Sequence, residues 1–279
     1  MWAVASGPTH RYVRLAAFGG LASLTVLGLA FTLATADPRL FPVDARAYYQ
    51  AWEHAGLYVP GAALGQATYI YSPAFAQLIR PLTLVPWPTF AVLWTALATV
   101  VYAWLLWPLD LPIRLVALAY VAVAALPVGN IEWLLALVAV AAFQYPATWA
   151  FALLTKVTPG VGIIWYAARA EWRAFATAVG ATEAVIIISV AVAPSLWIGW
   201  IGVLTAPHEA TVLRLIPEPG PLVRTALAVP LILWGARTER RWTIPAAMVL
   251  AQPDLGFSTL GVLAALPRLQ RAPVAERHP

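Results

Sequence analysis

The chain has 279 residues, 62% of them hydrophobic and only 10% charged. Soluble domains carry about 25% charged residues, so a water-solvated globule is excluded and lipid is the expected solvent. The net charge of +5 comes from arginine, with Lys156 the only lysine; the cations cluster between apolar runs, which suits membrane topology and contact with membrane lipids and excludes nucleic acid as a partner.

In chain order, the first apolar run, 15–36, is long for the core of a signal peptide and is expected to be a retained first helix. Further spans are expected at 73–85, 88–107, 112–126, 131–143, 147–167, 175–193 and 222–235, with a closing pair at 243–251 and 255–266. At about 20 residues per crossing, the length suits an all-α polytopic bundle of roughly eight to ten membrane helices. It is read as one membrane domain, 1–279. Several runs are short and flanked by Pro or Gly, as in broken or re-entrant helices that line a protein cavity. If Arg11 and Arg14 are cytoplasmic, strict alternation places Arg169, Arg173, Arg237, Arg240, Arg241, Arg268, Arg271 and Arg277 on the same side. Both termini are then cytoplasmic. The outer side receives two polar stretches, about 37–72 and 194–221, where chemistry in water is possible. Trp87, Trp107, Trp165, Trp197, Trp200 and Trp242 fall at expected helix ends, as an interfacial belt requires.

The first polar stretch predicts a short amphipathic helix over about 45–54 on the membrane surface, with Tyr48 and Trp52 facing lipid. Asp44 at its start has two readings. It is an N-cap for that helix, or a carboxylate near the bilayer surface that takes a proton from an acceptor hydroxyl. Tyr48, Tyr49, Trp52, Tyr69 and Tyr71 are interfacial anchors or a platform for stacking sugars. Lys156 falls inside an expected helix, where an isolated charge is costly and points to function. Its bland alternative is an ion pair with Glu132 or Glu183. Arg80 either snorkels or lines the cavity, and Asp254 is a cap or reaches the outer side.

Asp44, Tyr48-Tyr49, Trp52 and Gly56-Leu57-Tyr58 follow the first helix. Tyr69-Ile70-Tyr71-Ser72-Pro73 then opens the second, and Pro81-Leu82 closes it. Together these resemble the N-terminal signature of glycosyltransferase family 87, membrane enzymes of the GT-C fold. Gly129-Asn130 and Lys156-Val157-Thr158-Pro159 resemble two later elements of the family. The resemblance covers about 15–173, taken as a GT-C-like catalytic module, with 174–279 as C-terminal helices. The family's late Ser-Pro and Trp-His pattern has no counterpart in 252–257.

The resemblance implies an inverting transfer, with Asp44 as base, from a polyprenyl phosphate sugar, mannose above all, to an envelope lipid or glycan acceptor on the outer face. The leaving phosphate gains charge and needs cationic partners. His208, Arg214 and Arg224 on the second polar stretch, with Lys156, are the candidates, and Asn130 joins the tyrosines as a substrate-binding candidate. No metal-ligand spacing and no glycine-rich nucleotide fingerprint occurs, so no metal or other cofactor is expected. Two other readings fit the composition. One is a transporter or flippase with Lys156, Glu183 and Glu132 as a midplane relay; the other is a non-catalytic membrane subunit.

Overall fold

The computed structural model describes residues 8–35, 41–52, 57–58, 69–205, 220–253 and 255–270. All its regular elements are helical among these residues. Helix α1 (Pro8–Thr35) leads to the short α2 (Val43–Gln50), then to α3 (Pro73–Ile79) with a 3-10 turn at Arg80–Leu84. The long α4 (Trp87–Leu106) follows, then α5 (Leu111–Tyr120), which continues as a π-turn through Val121–Ala125, and α6 (Glu132–Ala141). Next come α7 (Trp149–Thr155), a 3-10 segment (Thr158–Ile163), α8 (Ile164–Ala168), α9 (Trp172–Val192) and α10 (Pro194–Thr205). The chain closes with α11 (Pro221–Arg237), α12 (Thr243–Leu250), a 3-10 segment (Ser258–Ala265) and α13 (Leu266–Gln270).

Among the described residues, three helices are long and apolar enough to cross a bilayer: Tyr12–Ala34, Trp87–Leu106 and Trp172–Val192. Their outward faces carry bare Leu33, Val92, Val100, Ile187 and Val192, a surface that water would not tolerate and hydrocarbon does. These apolar helices make the chain a membrane protein.

Two expected spans take another form. Over 73–85, seven residues of α-helix and a five-residue 3-10 turn rise only about 20 Å, less than the ~30 Å of a hydrocarbon core. Here α3 packs on α7 and α9, and its 3-10 turn on α2. The run 147–167 is broken at Lys156, whose backbone is extended (φ −128°, ψ 97°). Pro159, in the first turn of the next segment, supplies the reason: its ring and missing N–H oppose a continuous helix.

The contacts sort helix termini into two ends. At one end, α2 packs on the start of α4 and on the turn before α6. At the other, Arg14 pairs with Asp110 at 2.7 Å, Arg169 with Glu171 and Glu239 at 2.6 and 3.3 Å, and Arg268 donates to the Trp104 carbonyl.

Candidate active site

Helix α2 lacks a side-chain cap. Its first two N–H groups are satisfied from outside instead: Val43 donates to the Pro127 carbonyl at 3.1 Å and Asp44 to that of Val128 at 2.7 Å. This stitching requires the 127–130 turn to approach closely. Gly129 there has φ 66°, and a Cβ on it would lie 2.4 Å from the Pro42 Cβ. Only glycine meets both demands. The Gly129 carbonyl in turn accepts the Trp94 indole N–H at 2.8 Å, which ties the turn to α4.

The next residue, Asn130, reads the site. Its Oδ1 accepts the Ile131 N–H at 2.6 Å and faces the hydroxyls of Tyr48 and Tyr71, each at 3.1 Å. With the oxygen so placed, the amide nitrogen must point the other way, and it donates to Asp44 Oδ2 at 2.5 Å. Asp44 is therefore held by a residue from a distant turn and does not cap its own helix. Its Oδ1 has no hydrogen-bond partner among the described residues, and the residue is half-buried.

Electrostatics follow from this enclosure. Burial is the largest influence and pushes the Asp44 carboxyl up to about 6; the Lys156 ammonium opposes it, the Glu132 carboxylate adds to it, and the Asn130 hydrogen bond opposes it. Burial likewise holds the Tyr48 and Tyr71 hydroxyls well above the usual phenol range, so both are protonated donors. Lys156 and Glu132 pair at 2.7 Å, the lysine side chain retaining 13% exposure and the glutamate 2%. The break at Lys156 is what lets this side chain leave α7 for the start of α6.

The aromatic residues divide by face. Tyr48 points inward, contrary to the expected lipid-facing surface helix. It is fully buried and packs edge-on against Tyr71, Phe75 and Trp94. Trp52 is partly covered: its indole N–H donates to the Ala76 carbonyl at 2.9 Å, and the Arg80 guanidinium lies 4.7 Å over its ring. Tyr49 donates to the Val85 carbonyl at 3.0 Å. Tyr69 donates to the Ser72 carbonyl at 3.0 Å, and Tyr58 to that of Tyr71 at 2.6 Å. These rings are packed on one another and their hydroxyls are engaged by backbone carbonyls or by Asn130, so they offer a ligand no open stacking face. Ser72 caps α3 through Phe75 N–H and also donates to the Leu154 carbonyl.

Arg224 is buried near the start of α11, with Nη2 donating to the Pro253 carbonyl at 2.9 Å. His208, Arg214 and Asp254 lie outside the described residues. Glu183 is exposed on α9 and makes no ion pair among the described residues. The three-residue relay is thus reduced to one pair, Glu132 with Lys156. No group of three metal-ligating side chains occurs among the described residues. Trp94 escaped the sequence reading, although its spacing from Trp87 and Phe90 along one face of α4 was the available signal; the three rings stack in series.

The family model of glycosyltransferase family 87 matches residues 69–278. The chain belongs to glycosyltransferase family 87. It is accordingly a glycosyltransferase, acting on a sugar donor and an acceptor. No curated protein and no solved structure matches it. The family 87 match begins at the Tyr-x-Tyr element and continues through the C-terminal helices, which extends membership well past the 15–173 of the sequence resemblance. Asp44 and α2 precede the matched segment, so the case for Asp44 rests on its hydrogen bond to Asn130, a residue inside it.

Proposed function

We propose that this chain moves a sugar, mannose in the first instance, from a polyprenyl phosphate donor to an envelope lipid or glycan acceptor at the outer face of the membrane. One observation carries this reading: a half-buried carboxylate, raised to about 6, with one oxygen fixed by Asn130 and the other without a partner among the described residues. Such an oxygen can accept a proton from an attacking hydroxyl. In the proposed step the acceptor oxygen bonds to the anomeric carbon as the bond from that carbon to the donor phosphate oxygen breaks. The electron pair leaves with polyprenyl phosphate, the hydroxyl proton passes to Asp44 Oδ1, and a single displacement inverts the configuration. Lys156, coupled electrostatically to Asp44, supplies positive charge for the leaving phosphate together with His208, Arg214 and Arg224. Asn130 orients the sugar, its amide fixed from behind by the buried Tyr48 and Tyr71, and the partly exposed Tyr49 and Trp52 form the outer margin.

The arginines at the end opposite Asp44 support a multi-pass chain with cytoplasmic termini and an outward-facing site. The test is transfer of label from radiolabelled polyprenyl phosphate mannose to extracted envelope lipids by the purified protein. Asp44→Asn is expected to lower the rate by about 10²–10⁴-fold with folding intact. Full turnover by that variant removes Asp44 as base, and the absence of labelled product from the parent protein with any lipid-phosphate sugar removes the donor assignment.

A further inference from the structure

At the end away from Asp44, α1, α5, the last 3-10 segment and α13 enclose a slot of about 310 Å³. Its walls include Leu21, Leu24, Ile113, Leu260 and Leu263. Pro108, Leu109, Asp110 and Pro267 are shared with a second, polar hollow of about 710 Å³, which Trp107, Arg114 and Arg268 also line. An apolar slot thus opens directly into a basic vestibule.

The two arginines of the vestibule are held in place. Arg114 donates to the Leu109 carbonyl from Nε and Nη2 at 3.1 and 2.6 Å, and its guanidinium lies 4.6 Å from the Trp107 ring centre. Arg268 donates from Nε to the Trp104 carbonyl at 3.1 Å and sits 4.1 Å from the centre of that indole. Among the described residues that line the vestibule, Arg114 and Arg268 are the cations and Asp110, itself paired with Arg14 at 2.7 Å, is the anion. Trp104 and Trp107 are 43% and 66% exposed, which puts the vestibule where headgroups meet hydrocarbon.

We infer that this end binds an anionic phospholipid, one acyl chain in the slot and the phosphate in the arginine vestibule. An apolar slot is not stably hydrated, its volume falls within the range of ligand sites, and planar guanidinium groups match phosphate oxygens. The surrounding leaflet supplies a molecule with both properties in one body, whereas free phosphate would leave the slot empty.

Native mass spectrometry of the detergent-purified full chain tests this, titrated separately with phosphatidylglycerol, phosphatidylcholine and inorganic phosphate. Phosphatidylglycerol is expected to add as one tight equivalent that inorganic phosphate does not displace and phosphatidylcholine does not reproduce. The double variant Arg114→Gln/Arg268→Gln should bind it about thirtyfold more weakly, from roughly 1 kcal/mol per arginine near a headgroup. Ala17→Phe, which adds bulk at an exposed position on the slot wall, should also abolish the tight equivalent and keeps the test open if the double variant does not fold. Equal binding of the two lipids, displacement by inorganic phosphate, or unchanged binding by folded variants would overturn the assignment.

Discussion

An aspartate in the first turn of a helix ordinarily turns its oxygens onto that helix's own N–H groups. Asp44 gives one oxygen to Asn130 across 86 residues of sequence and leaves the other without a partner among the described residues. Its raised affinity for a proton has a direct kinetic consequence. Only the carboxylate is a base, so kcat/KM should fall as pH drops below about 6, well above the usual range near 3.9 for aspartate. Asn130→Ala removes a hydrogen bond that favours the charged form, worth about 1.5–3 kcal/mol. The acid limb should then move up by about one pH unit or more. A pH–rate profile of the two proteins checks both statements; an acid limb near 4 in the parent, where an ordinary aspartate titrates, would show that burial does not raise this carboxyl.

At the scale of elements, the 127–130 turn and the Lys156 break do the positioning. Gly129→Ala combines a left-handed backbone with a clash against Pro42, and should destabilise the protein by at least about 1–3 kcal/mol while uncoupling α2 from the turn. Thermal unfolding and transfer rate should fall together. Lys156→Met leaves Glu132 charged and enclosed, at a cost of about 3–5 kcal/mol, whereas Glu132→Gln/Lys156→Met should recover most of that loss. Recovery of stability without recovery of transfer would separate the structural role of the pair from its proposed electrostatic one. Gly129, Asn130 and Pro159 were legible in the sequence through the family resemblance, and Lys156 also because an isolated charge inside an apolar run is costly. The inward face of Tyr48 was not, since in lipid the core and the outer surface are equally apolar and periodicity no longer tells them apart. For the same reason the runs 73–85 and 147–167 read as continuous spans: hydropathy persists across both breaks.

For the whole molecule, the arginines among the described residues divide unevenly between the two ends: Arg46, Arg80 and Arg224 lie on the Asp44 side, and Arg14, Arg114, Arg169, Arg173, Arg237, Arg240, Arg241 and Arg268 on the other. Asp44, Asn130, Glu132 and Lys156 gather at one end; Arg14, Arg114, Arg169 and Arg268 are tied down at the other. Anionic headgroups and the insertion machinery hold arginine-rich ends in the cytoplasm, so the Asp44 end should face outward. The chain has no cysteine, which makes single-cysteine labelling clean. Ile70 is 43% exposed and its carbonyl accepts the Trp200 indole N–H near the site, while Thr238 is exposed just beyond α11 at the opposite end. In intact cells a membrane-impermeant maleimide should modify Ile70→Cys and spare Thr238→Cys until the membrane is permeabilised. The reverse pattern would place the carboxylate in the cytoplasm, where an outward-presented lipid-phosphate sugar could not reach it.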